Sequence, residues 1–136
     1  MVMTRDLVVI GLGYVGLPLA QEASRAGLSV TGLDVSAPVV DGLMAGRSHV
    51  DDLSDADVAA MVASGFHAST DPAILRDADA AVICVPTPLG EEGGPDLRAV
   101  LSATRDVAAN LHQGMLVVLE STTYPGTTRE KLVPLL

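Results

Sequence analysis

Residues 7–16 read Leu7-Val8-Val9-Ile10-Gly11-Leu12-Gly13-Tyr14-Val15-Gly16. Four apolar residues ending on a glycine predict a short buried strand that runs into a turn. Residues 14–26 predict a helix ended by Gly27. Pro18 falls in its first turns, where a missing N–H does little harm. Residues 29–33 predict a second strand, closed by Asp34.

The three glycines match G-x-G-x-x-G, and Asp34 lies 23 residues past Gly11. A strand before the pattern, a helix after it and an acid ending the next strand make the dinucleotide-binding context. Gly11 permits the tight turn, Gly13 lets backbone approach a pyrophosphate, and Gly16 lets the helix pack close to the strand. The helix N-terminus offers free N–H groups and partial positive charge to phosphates. Asp34 can accept hydrogen bonds from ribose hydroxyls and would repel a 2′-phosphate. No Arg or Lys occurs in Val35, Ser36, Ala37 or Pro38, which favours NAD over NADP. FAD proteins share the glycines, and a glycine turn that binds nothing is the bland alternative.

Outward from this unit the alternation continues. Residues 36–45 predict a helix stopped by Gly46. Ser54 caps a second at 55–64 with Asp57 three residues on, and residues 66–69 predict a third strand. Asp71 and Pro72 open a brief helix. Residues 80–85 predict a fourth strand, 86–95 a Gly/Pro loop with two acids, and Asp96 caps a helix reaching about Leu111. Residues 115–119 predict a fifth strand, and Thr127 with Glu130 predicts a capping box on a last helix. Strands separated by helices imply parallel pairing with right-handed crossovers. The expectation is an α/β fold, a Rossmann-like doubly wound parallel sheet in three αβα layers, cut short after about five or six strands.

The composition agrees. Of 136 residues, 49% are hydrophobic and only 2% aromatic, so the core is Ala, Val, Leu and Ile, as parallel strands require. A net charge of −9 argues against nucleic acid and an anionic membrane surface as partners. One cysteine, Cys84, excludes an internal disulfide and fits a reducing, cytoplasmic setting. Residues 1–6 do not read as a signal peptide. No apolar run is long enough to span a membrane.

Two further strand ends carry unusual chemistry: Val85-Pro86-Thr87-Pro88 after the fourth, and Glu120-Ser121-Thr122-Thr123-Tyr124-Pro125-Gly126-Thr127-Thr128 after the fifth. Ligands of an open parallel sheet sit at the carboxyl ends of its strands, so both segments are expected at the crevice of the glycine loop. Thr87 and Thr122 are read as functional on that location. Thr127 and Thr128 are read as turn and cap residues.

With these segments the sequence resembles the N-terminal NAD-binding domain of the UDP-glucose/GDP-mannose dehydrogenase family, the nucleotide-sugar 6-dehydrogenases. The matching stretches are GLGYVGLPLA at 11–20, GLD at 32–34, VICVPTPL at 82–89, PDL at 95–97 and ESTTYPGTT at 120–128. Their wording is nearest the UDP-N-acetylhexosamine 6-dehydrogenase branch. The resemblance implies oxidation of the C6 alcohol of a nucleotide-linked sugar to a carboxylate, with two NAD and two hydride transfers. It implies that Gly11, Gly13, Tyr14, Val15, Gly16 and Asp34 hold the adenosine diphosphate part, and that Pro86 and Thr87 line the cofactor further along; Val85 and Ser121 are counted with them as cofactor-binding. Thr122 stands where a threonine helps bind catalytic water and cofactor. Glu120 stands where relatives often carry Lys and is assigned no role.

In such enzymes a later cysteine traps the aldehyde as a thiohemiacetal and then a thioester, aided by residues beyond position 136. Cys84 is not a substitute, since an apolar strand leaves it inert. His49, His67 and His112 make no metal-ligand spacing, and His112 is expected to bond carbonyls at a helix C-terminus. Residues 1–136 are therefore expected to be one NAD-binding domain of a larger enzyme, with central-helix and nucleotide-sugar domains elsewhere. Alone it would hold cofactor without turnover. A homo-oligomer is expected, through apolar surface where the sheet would continue. A non-catalytic NAD-sensing module, or the N-terminal domain of another NAD-dependent dehydrogenase, are the competing functions.

Overall fold

The computed structural model describes residues 5–136; the part of the signal-peptide reading that concerns residues 1–4 lies outside them. Five parallel strands form one sheet in the order β3-β2-β1-β4-β5. They are β1 (Arg5–Ile10), β2 (Val30–Leu33), β3 (His67–Ser69), β4 (Ala78–Ile83) and β5 (Leu116–Leu119). The helices are α1 (Gly16–Arg25), α2 (Ala37–Met44), α3 (Asp55–Ala63) and α4 (Arg98–Ala109).

The apolar run of β1 explains the layering. Successive side chains of a strand point to opposite faces. Leu7 and Val9 enter a core with Leu17 and Ala20 of α1, Val40 and Leu43 of α2, and Val58 and Met61 of α3. Val8 and Ile10 enter the opposite core with Ile83, Leu75 and Val100, Ala103 and Val107 of α4. Burial on both faces requires a continuous apolar strand, and Val8 and Val9 are completely buried.

The crossovers leave β1 in two directions. Residues from β1 to β3 run outward on one side through α1, α2 and α3. The chain then crosses to β4, on the other flank of β1, and continues through α4 to β5. The strand order reverses between β1 and β4, which pair from Arg5↔Ala78 to Ile10↔Ile83. Such a reversal opens a crevice at the carboxyl ends of the strands.

Local chemistry sets most boundaries as the sequence predicts. Ser36, expected inside the second helix, instead caps α2 by accepting from the Val39 N–H. Ser54 and Asp57 form the reciprocal capping box of α3, at 3.1 and 2.9 Å. Asp71 accepts from the Ala73 N–H to open a helix at Pro72–Asp77, which is the tighter 3₁₀ form.

Four expectations are corrected. β4 spans Ala78–Ile83, two residues earlier than expected, because it pairs with β1 from Arg5↔Ala78 to Ile10↔Ile83, where β1 ends. Cys84 is thus the first residue beyond the strand, although its N–H still reaches the Ile10 carbonyl at 2.7 Å. Asp96 lies one residue before the Leu97 cap of α4, with its carboxylate accepting from the Arg98 N–H at 3.0 Å.

The capping box at Thr127 does not form. Thr127 already has helical backbone angles, and its hydroxyl donates back to the Tyr124 carbonyl at 2.6 Å. A wide π-type turn follows at Thr128–Leu132. His112 does not meet helix carbonyls: its Nε2 bonds the Ala78 carbonyl at 2.7 Å, fastening the α4–β5 connection to the start of β4.

Candidate cofactor-binding site

The turn after β1 is built around contacts that exclude side chains. Gly11 has φ +94°, and a Cβ there would meet the Cys84 carbonyl oxygen at 2.8 Å. A Cβ on Gly16 would stand 1.7 Å from the Gly11 carbonyl oxygen. Gly13 differs, because a Cβ there would meet nothing within 4 Å. Its missing side chain leaves open space, and the N–H groups of Gly13, Tyr14 and Val15 lie in the turn that leads into α1, whose Leu17 N–H is already bonded to the Gly13 carbonyl at 3.1 Å.

Asp34 ends β2 beside this turn. Its Oδ2 accepts from the Leu12 N–H at 2.9 Å and its Oδ1 from the Ser36 N–H at 2.9 Å. The carboxylate is half-buried and lines the crevice. With four acceptor positions on a carboxylate, two backbone bonds orient it and leave capacity for incoming hydroxyl donors.

One crevice of about 840 Å³ gathers Gly11, Gly13, Tyr14, Val15, Asp34, Val85, Pro86, Thr87, Ser121 and Thr122. Gly16 alone of the expected site residues does not line it, sitting behind the turn against Gly11. The rim carries uncovered apolar surface: Tyr14 is 65% exposed and Val35 94%. The space at Gly13, the turn N–H groups leading into α1 and the oriented Asp34 carboxylate together fit the adenosine diphosphate part of NAD.

The β4 and β5 ends are fastened to one another here. The Ser121 hydroxyl donates to the Val85 carbonyl at 2.9 Å, and the N–H groups of Glu120 and Ser121 both donate to the Ile83 carbonyl. Ser121 therefore spends its proton on the protein. Thr122 is exposed and Thr87 half-buried, both on the crevice wall.

Cys84 also lines the crevice. Burial, reinforced by the Glu120 carboxylate, pushes its thiol up to about 11. The thiol stays protonated at neutral pH, as an inert cysteine requires. The sequence reading missed Glu120 as a charged neighbour, since 36 residues separate the two.

Other lining residues were outside the expected site. Thr70 and Pro72 follow β3, while Arg98, Ser102 and Asp106 lie along α4. Arg98 forks onto Asp96 at the crevice mouth, with contacts of 2.6, 3.0 and 3.1 Å. This pairing holds the Asp96 carboxyl down to about 2. Burial alone raises the Asp106 carboxyl above its ordinary range. His49, from the connection between α2 and α3, lines the glycine-loop side. A helical period on α4 was legible, but not which of its faces meets the crevice.

Among the described residues no group of three or more His, Cys, Asp or Glu is placed to hold a metal ion. Among them too, no helix is long and apolar enough to cross a membrane.

Comparison with known proteins agrees with this geometry. The chain is 41% identical over 129 residues to an NDP-N-acetyl-D-galactosaminuronic acid dehydrogenase of Ralstonia nicotianae, covering 93% of this chain and 30% of that protein. It is 40% identical over 124 residues to the UDP-N-acetyl-D-mannosamine dehydrogenase of Escherichia coli K12, covering 90% and 29%. The chain thus spans under a third of the length of these relatives.

A crystal structure of GDP-mannose dehydrogenase from Pseudomonas aeruginosa superposes with a TM-score of 0.89 at 30% identity, covering 96% of this chain and 31% of that one. A glycerol-3-phosphate dehydrogenase from Coxiella burnetii, at 15% identity and a TM-score of 0.65, shares the fold alone. The sequence model of the UDP-glucose/GDP-mannose dehydrogenase family, NAD binding domain, matches residues 5–136. The chain belongs to the UDP-glucose/GDP-mannose dehydrogenase family and is its NAD-binding domain.

Proposed function

We propose that residues 1–136 form a single cofactor domain of an NAD-dependent nucleotide-sugar 6-dehydrogenase that oxidises the C6 alcohol of an NDP-sugar to a uronate with two NAD. The observation that carries this reading is the convergence of the glycine turn, Asp34, the Val85–Thr87 segment and the Ser121–Thr122 segment on one crevice. The names of the relatives favour an N-acetylated hexosamine as the sugar.

Each residue has a chemical task in this reading. N–H groups at Gly13, Tyr14 and Val15 receive the pyrophosphate, while Gly11 and Gly16 shape the turn that presents them. The Asp34 carboxylate accepts from the adenosine ribose hydroxyls and disfavours a 2′-phosphate. Val85, Pro86 and Thr87 line the middle of the cofactor. Ser121 fixes the β5 end, and the exposed Thr122 hydroxyl orients water and the nicotinamide end. The bound cofactor supplies the oxidant; the nucleophilic cysteine comes from a part of the enzyme outside this chain.

The setting is the cytoplasm, a reading supported by the single cysteine, and the assembly a homo-oligomer, supported by the β5 edge strand, where Leu116 remains 60% exposed. Calorimetric titration of the chain with NAD and NADP tests the cofactor assignment: NAD is expected to bind and NADP much more weakly. Equal affinities would refute the role of Asp34. A panel of nucleotide sugars assayed with the complete enzyme tests the substrate.

A further inference from the structure

The connection from α2 to α3 carries no secondary structure at residues 47–50, yet it is firmly held. The Ser48 N–H donates to Asp55 Oδ1 at 2.8 Å. The Ser48 hydroxyl donates to the Val50 carbonyl at 2.9 Å and accepts from the Val50 N–H at 3.2 Å. Val50 and Leu53 are buried in the core beneath α1 and α2. This brace surrounds an exposed residue, His49, whose ring reaches the glycine turn.

His49 Nε2 lies 2.5 Å from the Leu12 carbonyl oxygen. A carbonyl only accepts, so Nε2 carries the proton in this contact. Leu12 is the middle residue of Gly11-Leu12-Gly13. Its N–H is taken by Asp34, and its side chain is fully buried against Gly32, where a Cβ would stand 2.6 Å from Leu12 Cδ1. The carbonyl is the remaining polar group of Leu12, and His49 holds it.

We propose that His49 is a positioning residue of the dinucleotide site. It fixes the peptide between Leu12 and Gly13, whose N–H is one of those presented to the pyrophosphate, and it covers a partial negative charge beside an anion-binding turn. Glycines flank Leu12 on both sides and restrain the backbone little, so an external clamp has an effect there that it would lack in a stiffer segment. His49 thereby raises affinity for the adenosine diphosphate half of NAD. The inference rests on the NAD reading above.

The test compares the wild-type chain with His49→Ala and His49→Gln, each titrated calorimetrically with NAD and with ADP-ribose and melted without ligand. Loss of one neutral hydrogen bond with a freed turn is expected to weaken both nucleotides about tenfold in His49→Ala, by the same factor for each. His49→Gln, which places an N–H donor near the Nε2 position, is expected to recover most of that loss. Because His49 is exposed, the melting temperatures should stay close together, which separates positioning from folding. Unchanged affinities in His49→Ala overturn the inference, as does a Gln variant no better than Ala. A wild-type chain that binds neither nucleotide overturns the NAD reading, and this inference with it.

Discussion

The N–H of Leu12 donates to Asp34 Oδ2 at 2.9 Å, so the glycine turn and the acid ending β2 are one hydrogen-bonded unit. The carboxylate that would receive a ribose also sets the turn that would receive its phosphates. Asp34→Ala is therefore expected to weaken NAD by about tenfold to a hundredfold, the range for losing hydrogen bonds to a charged group. NADP affinity should fall less or rise. Calorimetry with both nucleotides gives the ratio; a ratio equal to that of the wild type would contradict this role.

The glycines of one motif should fail for different reasons. Gly16→Ala places a methyl 1.7 Å from the Gly11 carbonyl, and backbone cannot easily yield. A loss of about 2–3 kcal/mol in urea unfolding, the upper range for overpacking, is expected together with lost NAD binding. Gly13→Ala meets nothing, so stability should change by less than about 1 kcal/mol, while NAD affinity still falls because the methyl enters the crevice.

Gly32 and Leu12 should be energetically coupled. The Leu12 methyls stand where a residue-32 Cβ would need to be. Gly32→Ala alone is expected to cost about 1–3 kcal/mol. Leu12→Ala alone removes a fully buried side chain and is expected to cost about 2–5 kcal/mol. In the double variant the alanine methyl partly fills the space Leu12 leaves, so the combined loss should be smaller than the sum of the two. Additive losses in denaturant unfolding would show that the contact does not matter.

Cys84 should resist alkylation. With its thiol pushed up to about 11, the thiolate fraction at neutral pH is minute and grows tenfold per pH unit. The rate of reaction with iodoacetamide in the folded chain should rise through pH 9 without a plateau. Glu120→Gln should accelerate it modestly, because burial is the larger cause and remains. A plateau near pH 8.5 would mean an ordinary exposed thiol.

The α3 cap predicts an acid response. Hydrogen bonds from Ser54 hold the Asp57 carboxyl below its ordinary 3.8. A depressed carboxylate contributes stability that is fully present above 3.8 and is lost as pH falls through the lower folded value. Ser54→Ala removes the hydroxyl but keeps the N–H of residue 54, the larger cause, so an NMR titration should show Asp57 moving only part of the way back toward 3.8, while loss of the cap costs about 1 kcal/mol at pH 7. An unshifted Asp57 resonance in the variant would refute the box.

Much of this was legible because its causes are local or periodic. An apolar run, a glycine turn and an acid at fixed spacing need no distant partner to be recognised, and capping at Ser54 and Asp71 is decided within three residues. The Thr127 box failed because the same letters allow a second local solution: the hydroxyl bonds backwards to Tyr124. The end of β4 was misplaced because pairing with β1, not hydrophobicity, sets it. His49, Glu120 beside Cys84 and the α4 wall could not be read, since each meets the site only through contacts between residues far apart in the chain.

By itself, then, the sequence determined the alternation of strands and helices, the glycine turn and the acid beside it. These follow from side-chain period, backbone freedom and charge along a single stretch. Only the tertiary structure decided that Leu12 is clamped by Asp34, His49 and the bare face of Gly32, and that Ser121 ties β5 to β4. Contacts across 20 to 37 residues depend on how strands are ordered and which way crossovers turn, and those choices are made by packing the whole sheet between its two layers.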